Sequence, residues 1–349
     1  MSIQSREDYL NFGNFDSILD EKLELGLRSK RDLIEHISLM LQIRMVEQKI
    51  AEMRKTGIIG GPVHLGAGQE AIAVGISKFL RRSDFVFSGH RSHAHLLALN
   101  SDPYKLFAEV LGKLTGLTKG MGGSMHLWDG QNGFHGSVPI VAGTVPLAVG
   151  AALGLKMQNR DDIAVAYFGD GAIEEGVIHE SLNLARQLKV PILFVCENNL
   201  FSSHMHISQR QPLKSVSRFS IANDIQTEVV DGNNVLHVEI AAEKLINSAR
   251  QNKLPVFIEA LTYRHYGHVD WQVDIDVGIN RSQKDLEIWK KRDPILRLKS
   301  ALFEANLMSK SELIEITQRM NSQIEFAWQK AVQDLEPESK DLFKHVYKA

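Results

Sequence analysis

Two apolar segments, DIAVAYF at residues 162–168 and PILFVCE at 191–197, flank the helical stretch GAIEEGVIHESLNLARQLKV, and neither alternates polar with apolar residues. A strand that lacks alternation is buried on both faces, and such burial requires helices above and below a parallel sheet. TEVVDG, VLHVEIAAEKLINSARQ and PVFIEALTY extend the same strand–helix–strand order to Tyr263. The expected fold class is α/β, with a central, mostly parallel sheet covered by helices.

Helical extensions are expected on both sides of this unit. From Ser29 to Met53 the residues Leu33, Ile37, Met40, Leu41, Ile50 and Met53 keep roughly helical spacing, and the glycines from Gly57 to Gly61 break it. The next hundred residues mix short helices, about 69–80 and 103–113, with the glycine-rich loops GIIGGPVHLGAG, KGMGGSMH and GFHGSVPIVAG. Such glycine density implies backbone that closely approaches something. VAGTVPLAVGAALGLKM, which contains Pro146, reads as a closely packed interior helix, and DLEIWKKR and SELIEITQRMNSQIEFAWQKAVQDLE read as a helical tail. The division that follows is a helical extension at 1–60, an α/β domain at 61–280 and a helical tail at 281–349.

Composition removes several function classes. A formal net charge of -2 offers nothing to nucleic acid, and a single cysteine, Cys196, excludes an intramolecular disulfide framework and a cysteine-built zinc site. That usage fits a reducing compartment. The amino terminus lacks the basic start and apolar run of a signal peptide, and no segment approaches the roughly 18 to 20 apolar residues of a membrane span. A cytoplasmic protein with no membrane attachment is expected.

Asp170 follows the strand DIAVAYF, and Asn198 and Asn199 follow PILFVCE. In an open α/β sheet, ligands bind outside the carboxyl ends of the strands, so both sites lie on the ligand-binding edge. One crossover helix and one strand account for the separation of the two positions. An aspartate before a helix also serves as an N-cap and an asparagine pair as a turn, but neighbouring strands make the two side chains converge. A carboxylate and an amide oxygen are hard ligands, too few for a calcium cage and suited to a magnesium ion that shares ligands with a diphosphate. Amides at the start of the helix after Gly171 also favour phosphate.

The residues of GDGAIEEGVIHESLNLARQLKVPILFVCENN resemble the thiamine-diphosphate fingerprint, in the form carried by α-subunits of 2-oxo-acid dehydrogenases acting on pyruvate, branched-chain 2-oxo acids or acetoin. HLGAGQEAIAVG, HRSHAHLL, KGMGGSMHL, VAGTVPLAVGAALG, VVDGNNVL and TYRHYGH match in order, so the resemblance spans about Ile43 to Asp293. It implies the diphosphate-binding type of thiamine-diphosphate fold, with thiamine diphosphate and Mg2+ as cofactors. By the same resemblance Asp170, Asn199 and the carbonyl of Phe201 are the magnesium ligands, and Gly171 and Ala172 present backbone to the phosphates. Arg91 clamps the diphosphate. His90 stands where the family carries a tyrosine, and the backbone near Pro139 and Val141 touches the aminopyrimidine. His268 lies near the cofactor's reactive carbon, His64 faces the 2-oxo acid, and His93 and His126 occupy further motif positions.

The family's activating glutamate belongs to a β-subunit, and no second domain here resembles a pyrimidine-binding one. The resemblance therefore implies an α2β2 assembly and a lipoyl acyltransferase as acyl acceptor. The expected activity is oxidative decarboxylation of a 2-oxo acid such as pyruvate. Acetoin cleavage, or a carboligase or transferase reaction, is the alternative, because Val269 replaces the serine found after the histidine and the following loop carries Asp270, Asp274 and Asp276. A solvated acidic loop is the simpler account of those aspartates. Two other patterns are weaker: HRSHAH offers His90, His93 and His95 to zinc without an HExxH motif, and GAGQEA fits a dinucleotide pattern without a preceding strand.

Overall fold

The computed structural model describes residues 19, 23–273, 275–276 and 279–344. Helix α1 (Lys30–Lys55) begins where the Ser29 hydroxyl accepts from the amide of Asp32, and it buries Leu33, Ile37, Met40, Ile43, Val46 and Ile50. Then come α2 (Glu70–Ser77), β1 (Phe85–Ser88), α3 (His93–Ala98), α4 (Pro103–Val110), β2 (Phe134–Ser137), α5 (Thr144–Met157) and β3 (Ala164–Gly169). A 3-10 turn, Asp170–Glu174, leads into α6 (Gly176–Leu188) and β4 (Ile192–Asn198). A small hairpin of β5 (Phe201–Ser202) and β6 (Met205–His206) runs into the short helices α7 (Ile207–Arg210) and α8 (Arg218–Ala222). Next are β7 (Gln226–Asp231), α9 (Val235–Asn252), β8 (Val256–Leu261) and the two-residue strands β9 (Ile275–Asp276) and β10 (Ile279–Asn280). Helices α10 (Gln283–Lys291), α11 (Pro294–Glu304) and α12 (Lys310–Gln333) follow.

The main sheet has the order β2-β1-β3-β4-β8-β7, and every pairing in it is parallel. Strands β3, β4 and β8 are buried on both faces, as the lack of alternation requires. Val165, Tyr167, Leu193 and Val195 join one apolar cluster with α1, α2, α9, α11 and α12. Ala164, Ala166, Phe168, Phe194 and Cys196 join another with α5 and α6. Each fully buried aliphatic or aromatic side chain contributes roughly 1.5–3 kcal/mol over leaving it exposed. Residues 30–59 and 294–331 supply side chains to the first cluster, so both flanking segments are anchored on the sheet.

Two local expectations change. Asp170 does not open an α-helix: the 3-10 turn intervenes, and extended backbone at Glu175 delays α6 until Gly176. Helix α5 is interior on one face only. Val145, Ala148, Val149, Ala152 and Leu155 pack inward, while Leu147 is 57% exposed and Met157 76%. Its high apolar content on every face had concealed which side meets the sheet.

Candidate active site

Strands β3 and β4 are adjacent and in register, with Gly169 opposite Glu197. The segments that leave their carboxyl ends, together with the loop after β1, enclose a cavity of about 280 Å³. His64, His90, Arg91, Pro139, Val141, Gly171, Ala172, Asn199, Phe201 and His268 all line it. Asp170 lies beneath, fully buried. His126 is not brought there: its ring faces the carbonyl of Gly122 at 3.1 Å in an exposed loop. A volume at the low end of small-molecule pockets, open at a rim formed by exposed Ile140 and Val141, is that of a partial site.

The carboxylate of Asp170 has two different environments. One oxygen accepts from Arg210, whose guanidinium also reaches Glu174, and Oδ1 finds no partner among the described residues. Burial pushes this carboxyl above its ordinary range, and Arg210 and then Arg264 oppose the shift. A buried acceptor without a donor is costly, so an orphaned oxygen here fits a cation. On the neighbouring turn, Asn199 donates from Nδ2 to Gln69 at 3.3 Å and accepts from the amide of Phe201 at 3.3 Å. Leu200 sits between them at φ +69, a left-handed conformation that bends the chain back into the hairpin. These hard oxygen donors fit magnesium. The backbone also fits a diphosphate, because a Cβ added at Gly89 or Gly169 meets no atom within 4 Å. Gly171 is glycine for a different reason: a Cβ there would stand 2.4 Å from the hydroxyl oxygen of Ser202.

Three histidines form the opposite wall. The ring centres of His64 and His90 are 4.5 Å apart, those of His64 and His268 5.1 Å, and those of His90 and His268 5.4 Å, all edge-on. Burial, reinforced by Arg91, lowers His64 and His268 to about 2 and His90 to about 3, so the cluster is neutral near pH 7. The unfolded chain takes up these protons near 6.5 and the folded chain does not, so their contribution to stability is complete above 6.5 and is lost as pH falls toward 2–3. The urea midpoint is expected to fall steadily from pH 7 to about pH 4, and His64→Gln to flatten that slope.

The segment carrying His268 is fastened on several sides. Arg91 donates to the carbonyl of Leu65 at 2.6 Å and to that of His268 at 3.3 Å. The amide of Asp270 donates to Val63 at 2.8 Å, and its carboxylate pairs with Arg54 at 2.8 Å. Arg54 also reaches the carbonyls of Ile59 and Gly60. Asp270 is thus a bound, half-buried carboxylate rather than a solvated one; Asp274 and the side chain of Asp276 lie outside the described residues. Asp270→Asn removes the charge from this clasp, and its expected result is faster proteolytic cleavage within 266–273 and a lower kcat at unchanged protein stability. Equal cleavage rates would show that the clasp does not hold the segment.

The other histidines of the sequence reading separate. His93 is buried between Glu47 at 3.4 Å and Ser124 at 2.9 Å, and His95 bridges Ser88 and Glu197, so His90, His93 and His95 do not form one metal set. KGMGGSMH is shaped by Glu109, whose carboxylate accepts from the amides of Thr118, Gly120, Gly122 and Gly123. Gln69, Glu197, Arg210 and Arg264 were not anticipated. Arg264 lies inside the quoted TYRHYGH, which was a usable signal, and donates to the carbonyl of Ser203 at 3.0 Å. Arg210 has no local pattern to announce it.

Over residues 37–340 the chain matches the family described as Dehydrogenase E1 component. The chain belongs to this family. As an E1 component it is similar to the α-subunit of acetoin:2,6-dichlorophenolindophenol oxidoreductase from Bacillus subtilis, with 37% identity over 88% of this chain and 91% of that one. It is also similar to the pyruvate dehydrogenase E1 component α-subunit of Rhizobium meliloti, at 33% identity over 91% and 90% of the two chains. The testis-specific mitochondrial human pyruvate dehydrogenase E1 α-subunit is 34% identical over 90% of this chain and 79% of its own. E1 components use thiamine diphosphate and are oxidoreductases, and the α designation of these relatives implies a β-subunit. Among the described residues, no helix of this E1 chain is long and apolar enough to cross a membrane.

Proposed function

We propose that this chain is the α-subunit of a cytoplasmic, heteromeric enzyme, dependent on thiamine diphosphate and Mg2+, that oxidatively decarboxylates a 2-oxo acid such as pyruvate with acyl transfer to lipoamide. The observation that carries the reading is the buried oxygen of Asp170, without a partner among the described residues, between Gly169 and Gly171 of a cavity that Asn199 and Phe201 also line. Asp170, Asn199 and the carbonyl of Phe201 would hold the metal. Arg91 and the backbone of Gly171 and Ala172 would hold the diphosphate, and the backbone at Pro139 and Val141 the aminopyrimidine. When bound, thiamine diphosphate supplies the electron sink that decarboxylation needs.

The chain's own residues do the rest. His64, neutral and nine-tenths buried, presents a hydrogen-bonding ring to the substrate carboxylate, and His268 stands where it can donate or accept a proton at its imidazole. His90 fills the space between the two rings and the phosphate side. The exposed apolar side chains of Val141 at the cavity and of Ile140 and Leu147 close to it in sequence support a β-subunit closing the site and bringing its activating glutamate; a lipoyl acyltransferase would then take the acyl group.

A second reading, acetoin cleavage, is favoured by the relative named for acetoin and by the absence of serine after His268. Both are tested on the reconstituted α/β enzyme with thiamine diphosphate and Mg2+, using dichlorophenolindophenol as electron acceptor. Pyruvate-dependent reduction, with acyl-lipoamide formed when a lipoyl domain is added, supports the first reading. Reduction with acetoin alone supports the second, and no reduction with either sinks both.

A further inference from the structure

We infer that His64, His90 and His268 form a second metal site, for one divalent ion of zinc's class, distinct from the oxygen-donor site at Asp170 and Asn199. The three rings come from three separate segments, and one ligand nitrogen of each lies within 4.8 Å of the others. Zinc–nitrogen bonds of ~2.0–2.1 Å place tetrahedral ligand nitrogens ~3.4 Å apart, so rotations that close the triangle by about an ångström or slightly more complete it. His90 and His268 border the cavity and have room for that movement.

A second observation points to a ligand. His64 is only 8% exposed, and its Nδ1 has no hydrogen-bond partner among the described residues. A buried ring nitrogen in that position gains most from a Lewis acid. Neutral imidazole is also the ligating form, so no proton has to be displaced near pH 7. Three nitrogens without a carboxylate or thiolate suit zinc, cobalt, nickel or copper and do not suit magnesium. With three protein ligands and an open position toward the cavity, the site has the layout of an exchangeable ion rather than a closed structural one. Arg91 lowers the affinity, yet its guanidinium is turned onto the carbonyls of Leu65 and His268.

An ion held there occupies ring nitrogens that His64 and His268 would otherwise offer to a substrate. That zinc competes with the 2-oxo acid rests on the proposed function; that zinc binds does not. The test uses the copurified α/β complex, stripped of thiamine diphosphate and kept in excess Mg2+ to compete at the oxygen site. Co2+ is titrated and followed by its visible ligand-field absorption, and Zn2+ is titrated by calorimetry. One ion per α-chain is expected, with the absorption of a nitrogen-ligated four- or five-coordinate Co2+. His90→Phe and His64→Asn should each lose that absorption and weaken zinc binding by more than roughly a hundredfold, beyond the effect of losing an outer-sphere partner. Should His64→Asn fail to fold, His90→Phe alone decides. Unchanged titrations in His90→Phe, or no stoichiometric binding to the parent complex, overturn the site. Binding without competition against pyruvate leaves the site standing and counts instead against the substrate placement.

Discussion

Asp170→Ala, in the reconstituted α/β enzyme, is expected to lower cofactor-dependent turnover by roughly a hundredfold or more, because even outer-sphere partners of a metal ligand are worth ten- to a hundredfold. The carboxylate is fully buried, one of its oxygens lacks a partner among the described residues, and Glu197, the acidic side chain that lines the cavity, is engaged by His95. Asp170→Asn is the sharper variant. It retains an oxygen for Arg210 and removes the charge. Because burial raises the folded carboxyl's pKa above its unfolded value, ionisation of Asp170 costs stability, and the cost grows as pH rises from 3.8 through the raised value. The melting temperature of Asp170→Asn without Mg2+ should therefore be no lower than that of the parent, while the increase that Mg2+ and thiamine diphosphate give the parent should vanish. A variant that keeps this increase would refute the metal assignment. Scanning calorimetry with and without the ligands reads both effects.

Glu259→Ala is expected to cost about 3–5 kcal/mol of stability, the scale for dismantling a buried, charged hydrogen-bond network. Glu259 sits at the centre of β8 with no exposure. It accepts from Asn198 at 2.7 Å, from the Ser215 hydroxyl at 2.6 Å, and from the amides of Val216 and Ser217. Alanine leaves each of those donors facing an apolar space. Glutamine does little better, because its own amide hydrogens then confront donors. The functional effect follows from the chain path: Asn198 precedes Asn199, and the strand end that Glu259 fixes is the one that aims the proposed metal ligand. Urea denaturation measures the first effect, and the Mg2+ concentration needed for half-maximal activity measures the second. A destabilisation below about 1 kcal/mol would mean that water replaces the carboxylate.

The parts of this molecule that were legible in its sequence are those encoded by local period. The uninterrupted apolar runs of β3 and β4 announced burial on both faces, and one intervening helix placed their carboxyl ends, which Asp170 and Asn199 follow, next to each other. Long-range partners carry no such period. Arg54 lies 216 positions from Asp270, and Glu259 lies 61 from Asn198, so neither pair could be read before the chain was folded. Arg210 reaches Asp170 only because the left-handed turn at Leu200 folds the hairpin over the 3-10 turn. His126 shows the converse. Its motif was recognisable, but the loop that Glu109 organises holds the ring away from the cavity.

Helices α1 and α12 lie far apart in the sequence, yet Lys49 pairs with Glu325 at 2.8 Å and stands over the ring of Trp328. The flank that carries them is still not closed, because α12 leaves Ile314 54% and Phe326 73% exposed. On the other flank, α5 offers Leu147 and Met157 to whatever comes next. Apolar side chains thus stand exposed on both flanks, so a fusion partner or surface label placed on α5 or beside Phe326 would cover them without disturbing the fold.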